Sequence, residues 1–151
     1  MPAASVSSRL AASELTKDLS FLLARANAVS LAAGNRALAP HGLKARSYSV
    51  LLLAAGDSGP SQRELAEFLR LDPSQVVSLV DDLQARELVE RRPDPSDRRA
   101  NIVVATAKGR ALAEQARVSA AAAEAELHAE LTVEQRRVIG EVLRTLAFPG
   151  E

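Results

Sequence analysis

A chain of 151 residues is the length of one compact domain with a core of its own. Apolar residues make up 47% of it but aromatics only 3%, there is no cysteine, and the formal net charge is zero; disulfides, cysteine-based zinc sites and thiol switches are excluded, and a core of Leu, Val and Ala suits helix packing. Charges interrupt every apolar run, so neither a signal peptide nor a membrane span is expected, and the expectation is a cytoplasmic protein with no membrane partner.

Residues 1–12 are small and polar and are expected to be disordered or frayed. From Ser13 a helical stripe begins, with Leu15, Leu19, Leu22, Leu23, Ala26, Val29 and Ala33 at three- and four-residue steps. Pro40-His41-Gly42 closes it, and a second helix is predicted over residues 44–55. Gly56-Asp57-Ser58-Gly59-Pro60 is a break.

Two short helices with capping-box starts follow. Ser61 precedes Glu64, and Asp72 precedes Gln75 with Pro73 in the first helical position. The spacing alone fits a helical hairpin in a bundle as well as a helix-turn-helix; the face of the second helix favours the latter. Val76, Leu79, Val80 and Leu83 share one side at i, i+3, i+4 and i+7. Ser74, Ser78, Asp81, Asp82 and Ala85 fall on the other, with Gln75 on the flank, a face of short side chains that can approach base edges closely. The two aspartates leave three readings open: a solvated face, acceptors for cytosine amino groups, or partners that orient nearby arginines.

Leu88-Val89-Glu90-Arg91-Arg92 and Asn101-Ile102-Val103-Val104-Ala105 read as two strands of a hairpin. Between them runs the tip Pro93-Asp94-Pro95-Ser96-Asp97-Arg98-Arg99, whose arginines suit a narrow minor groove. Residues 71–100 carry five basic and seven acidic side chains, so binding to DNA depends on local placement of Arg91, Arg92, Arg98 and Arg99 and not on an overall field. Thr106 opens a long helix reaching about Glu130, alanine-rich over 120–125, and Thr132 with Gln135 caps a last helix ended by Pro149-Gly150.

The expected fold is mainly α with a small β-hairpin wing: a winged helix-turn-helix plus a helical dimerisation region. The terminal helices carry more apolar surface than a winged helix needs, which favours a two-fold dimer over a monomer with a larger helical core. No catalytic or metal constellation appears; His41 and His128 are the only histidines, and no phosphate-binding glycine loop is present. An enzyme is therefore not expected, nor a cofactor or metal.

The runs Gln62-Arg63-Glu64-Leu65-Ala66, Leu71-Asp72-Pro73-Ser74-Gln75-Val76-Val77, Leu79-Val80-Asp81-Asp82-Leu83, Leu88-Val89-Glu90-Arg91, Asp97-Arg98-Arg99 and Thr106-Ala107-Lys108-Gly109, in this order, resemble the MarR family of bacterial transcription regulators. The most specific part is Asp97-Arg98-Arg99 before a strand and a Thr-x-x-Gly helix start, and the likeness runs from about Ser13 to Leu146. The resemblance implies a single MarR-like domain over 13–151, with dimerisation helices at 13–43 and 106–148 and the winged helix-turn-helix at 44–105. It implies a homodimer on a pseudo-palindromic operator in double-stranded DNA, acting as a repressor and released by a small aromatic or phenolic effector. By position, Ser74, Gln75 and Ser78 would face the major groove, Arg99 the minor groove with Arg98 beside it, and Gln62 and Arg63 phosphate. The effector site would draw on Asn27, Ser30, His41, Arg46, Tyr48 and Ser49. Two positions depart from the family pattern: Ser78 stands where many relatives have arginine, and Glu87 where they usually have glycine at the end of the recognition helix. A winged-helix protein-interaction module that does not bind DNA is the alternative, favoured by Asp81, Asp82 and the neutral charge.

Overall fold

The side chain of Asp18 accepts a hydrogen bond from the backbone N–H of Phe21 at 2.9 Å and starts the first long helix, α1 (Leu19–Leu38). The stripe expected to be helical from Ser13 therefore divides: Glu14–Lys17 is a short 3-10 turn, and Asp18 between it and α1 is extended. An aspartate that bonds the backbone ahead of it favours a cap over a helix interior. The computed structural model describes residues 9–150; of the segment expected to be frayed, residues 1–8 lie outside the described residues, and 9–12 are exposed.

After α1 the chain tightens into a 3-10 turn, Ala39–His41, and reverses at Gly42, whose φ of 65° is left-handed. Helix α2 (Ala45–Ala55) follows, then α3 (Gln62–Leu69) and α4 (Pro73–Ala85), each of the latter two opened by the expected capping box. Arg70 makes the turn between α3 and α4 in a left-handed conformation, φ 53°.

Strands β1 (Val89–Pro93) and β2 (Asn101–Ala105) pair antiparallel, from Val89 opposite Ala105 to Pro93 opposite Asn101. Pro93, expected in the tip, ends a strand instead, where its missing N–H costs no ladder bond. Pro60 accepts a bond from the Val103 N–H at 2.8 Å on the outer side of β2. Helix α5 (Ala107–Leu127) ends three residues earlier than expected, at the cap residue His128, and α6 (Val133–Ala147) closes the fold.

The buried core draws on α2 (Val50, Leu51, Ala54), α3 (Leu65), α4 (Val76, Val80, Leu83), the hairpin (Val89, Val103) and α5 (Ala113, Ala116). It fixes α4 and the hairpin as one body. The terminal helices sit differently. Helix α1 packs along α5, buries only Leu38 and leaves Leu19, Leu22, Leu23 and Val29 exposed. Helix α6 buries no residue, though Val138, Ile139, Val142, Leu143 and Leu146 form an apolar stripe.

Candidate nucleic-acid interface

The start of helix α4 is held by local bonds among Asp72, Ser74, Gln75 and Ser78. The Asp72 carboxylate accepts from the Ser74 N–H at 2.8 Å and the Ser74 hydroxyl at 2.5 Å; these bonds hold it below the usual aspartate range, the hydroxyl contributing most. Gln75 Oε1 accepts from the Asp72 N–H at 3.3 Å, and the Ser78 hydroxyl donates to the Ser74 carbonyl at 3.1 Å. Ser74, Gln75 and Ser78 are all exposed on one face. With their protons used locally, the serines present lone pairs outward and Gln75 presents its amide N–H groups, a mixed acceptor and donor pattern suited to base edges. The face is less purely polar than expected, because Val77 lies on it, 40% exposed.

The hairpin tip is braced from within. Asp94 accepts from the hydroxyl and the N–H of Ser96, both at 2.7 Å, bonds that hold its carboxyl below the usual range, the hydroxyl foremost. Asp97 accepts from the Arg99 N–H at 3.0 Å, and the Asp94 N–H donates to the Ala100 carbonyl at 2.9 Å. Arg98 and Arg99 stand exposed at the end of this stiffened loop.

The seven acidic residues of 71–100 are all engaged close to home. Asp81 pairs with Arg91, Asp82 with Arg86, Glu87 with Lys108 and Glu90 with Arg92, while Asp72, Asp94 and Asp97 serve the cap and the tip. Among the described residues no carboxylate pairs with Arg98 or Arg99. The wing tip is neutral by count, with Asp94 and Asp97 against Arg98 and Arg99, but its two carboxylates are bonded to Ser96 and the Arg99 backbone N–H, and neither guanidinium is held in an ion pair. The sequence placed Arg91 and Arg92 in the same group of available cations; the structure withdraws Arg91 into contacts with α3 and α4, while Arg92 stays exposed beside Glu90. Gln62 is half-buried with Oε1 bonded to Arg91 at 2.7 Å, and Arg63 is exposed beside Glu67 at 2.9 Å.

The reading helix is tied to the long terminal helices by one joint. Thr106 caps α5, accepting from the Gly109 N–H at 3.0 Å and donating to the Glu87 carbonyl at 2.7 Å. Lys108 donates to the Arg86 carbonyl at 2.9 Å, and Arg86 reaches the Gly42 carbonyl at 2.9 Å. Glu87, the departure from the glycine pattern, is left-handed with φ 60°.

The expected effector residues divide. Asn27, Ser30, Tyr48 and Ser49 line one concavity of about 250 Å³ between α1, α2 and α5. Burial raises the Tyr48 hydroxyl above its usual range. His41 is not on this wall; its Nε2 is hydrogen-bonded to Ser119 at 2.8 Å. Arg46 lines a separate hollow of about 500 Å³ facing Leu79 and Asp82. Asn27 and Ser30 also face a groove of about 890 Å³ between α1, α5 and α6, together with Glu124, His128 and Arg136. Glu124 and Arg136 were passed over in the sequence, and His128 was weighed there only as a catalytic or metal-binding residue. Glu124 and His128 stand four residues apart on α5 and its cap, one helical turn, which is the signal that places them together. Among the described residues no group of three His, Asp or Glu gathers to hold a metal, and no helix is long and apolar enough to cross a membrane.

The MarR family model matches residues 41–100. A MarR-family regulator from Rhodococcus sp. RHA1 is 41% identical, covering 91% of this chain and 99% of that one, with a TM-score of 0.84. CouR from Rhodococcus jostii RHA1, solved bound to p-coumaroyl-CoA, is 38% identical over 92% of this chain and 99% of that one, TM-score 0.82. CouR bound to a 23-mer DNA duplex superposes with a TM-score of 0.82 at 33% identity, covering 89% of this chain and 96% of that one. The transcriptional repressor Rv2887 of Mycobacterium tuberculosis is 32% identical over 128 residues, 85% of this chain and 92% of that protein; its complex with salicylic acid superposes with a TM-score of 0.71. The repressor NicR of Pseudomonas putida is 47% identical over 64 residues, and the match spans 40% of its length. On this similarity, nearly end to end at over 30% identity, the chain belongs to the MarR family of helix-turn-helix transcription regulators.

Proposed function

We propose that the chain is a homodimeric repressor of the cytoplasm that binds a pseudo-palindromic operator in duplex DNA and is released by a small aromatic or phenolic ligand. The observation that carries the reading is the pairing of an exposed small-residue face on α4 with a braced tip whose two arginines face no carboxylate. Ser74, Gln75 and Ser78 take the major groove, Arg99 the minor groove, and Arg98 the adjoining backbone. Gln62 and Arg63, at the start of α3, lie where a helix N-terminus meets phosphate. The regulator needs no catalytic step.

In this reading residues 13–43 and 106–148 form the dimerisation region and 44–105 the DNA-reading unit. The exposed stripes of α1 and α6 support it, since a second copy of the same stripes would cover them. The CouR and Rv2887 complexes support an aromatic acid or its thioester as effector. The concavity holding Asn27, Ser30 and Tyr48 is its seat, between the two regions. Ligand there would act on the joint at Thr106 by shifting α1 and α5 against α4.

The non-DNA alternative drew on Asp81, Asp82, the neutral net charge and Ser78 in place of arginine. Both aspartates are paired with arginine, which removes that part of its support. The test is capture of genomic fragments by the purified protein at near-physiological salt. Enrichment of a pseudo-palindrome with half-sites about one helical turn apart is expected; absence of any salt-dependent duplex binding would sink the reading.

A further inference from the structure

Arg91 stands on β1 at the base of the wing, with its side chain 25% exposed. Its guanidinium gathers three acceptors from two other elements. Nε donates to Gln62 Oε1 on α3 at 2.7 Å, Nη1 to Gln84 Oε1 on α4 at 2.9 Å, and Nη2 to Asp81 Oδ1 on α4 at 2.6 Å. The planar fork is thereby turned to protein, not to solvent.

Two consequences follow from the chemistry of the partners. An amide side chain carries its acceptor on one side and its N–H pair on the other. With both Oε1 atoms held by Arg91, Gln62 and Gln84 turn their N–H groups away from the clasp. Phosphate oxygens only accept, so an outward N–H pair is the useful orientation and an outward oxygen the harmful one. Asp81, exposed on the α4 face beside the serines, would repel phosphate if left unpaired; the guanidinium neutralises it.

We infer that Arg91 is a positioning residue of the DNA-binding face: without touching DNA it orients Gln62 and Gln84 as donors, masks Asp81 and locks the wing to α3 and α4. The inference rests on the DNA-binding reading above.

The experiment uses a duplex selected from a random library by the wild-type protein, titrated over a salt series alongside thermal melts. Arg91→Gln weakens binding by about tenfold or more, while the slope of log affinity against log salt stays that of wild type, because no phosphate contact is lost. Asp81→Asn recovers most of the affinity in the Arg91→Gln background and changes it little alone, a coupling read by the double-mutant cycle. Arg91→Lys keeps the charge but not the fork, and falls between Arg91→Gln and wild type at unchanged slope.

A slope lower by about one in Arg91→Gln would make Arg91 a direct phosphate contact and overturn the inference. So would absence of rescue by Asp81→Asn, or an affinity loss that only tracks the unfolded fraction. Wild-type protein that selects no duplex overturns the DNA-binding reading and this role with it. Wild-type binding matched by Arg91→Gln overturns the role alone.

Discussion

At the wing tip, Arg99 contributes nothing to the core, since its side chain is exposed and only its backbone N–H is bonded, to Asp97. Replacing it is therefore a test of contact, not of packing. Arg99→Ala is expected to lose specific operator binding while its stability stays within about 0.5 kcal/mol of wild type. Fluorescence anisotropy with a selected duplex, read beside a thermal melt, separates the two. Unchanged affinity would count heavily against the wing as a groove reader. Arg91 differs from Arg99 because its guanidinium is held by Asp81 and two amide oxygens at the base of the wing; neighbours, not residue type, decide which arginine is available.

Element starts carry much of the local order. Glu64, Asp72 and Asp94 hold the openings of α3 and α4 and the wing tip, and all three carboxyls lie below their usual range. For Glu64 the chief cause is the Ser61 N–H, and for Asp72 and Asp94 the hydroxyls of Ser74 and Ser96. A carboxyl depressed in the folded state stabilises it above the usual carboxylate range and loses that effect as pH falls through the depressed value. Melting temperature should hold from neutrality down to about pH 4 and then decline, less steeply in Glu64→Gln; a flat profile through that window would rule these caps out as an acid-sensitive element. The seat of α5 is steric. A Cβ on Gly109 would lie 1.9 Å from the Leu88 carbonyl oxygen. Alanine normally favours a helix over glycine by about 1 kcal/mol, but here the clash reverses the sign, and Gly109→Ala should cost about 1–3 kcal/mol in urea unfolding. A gain in stability would mean that α5 does not rest on the end of the reading unit.

The whole molecule leaves its largest apolar stripes where one chain cannot cover them. Helix α6 buries none of its residues, and Ile139 and Leu143 stand exposed on it, each 43%. Purified protein should therefore be dimeric by light scattering, with a melting temperature that rises with concentration. The double substitution Ile139→Asp and Leu143→Asp is expected to yield monomer and to abolish operator binding, since a palindrome needs both reading helices. A wild-type monomer that melts independently of concentration would require another partner for these faces.

The order of helices, the capping boxes at Ser61, Asp72 and Thr132, the Thr106 cap and the hairpin were readable from the chain because each depends on residues a few positions apart. The restart of α1 at Asp18 was equally local, yet the apolar stripe running through it masked the cap. What lay beyond the sequence was which side chains meet. Arg91 closes on residues 62, 81 and 84 from a neighbouring strand, a meeting set by the angle at which the hairpin packs on α3 and α4. His41 turns to Ser119 while His128 faces the groove beside Asn27, because the packing of α1 on α5 decides which histidine looks inward. Caps and periodicity record short-range backbone bonding, whereas a binding surface records the relative placement of elements, and that is settled by the shared core of α2, α4, β1 and β2.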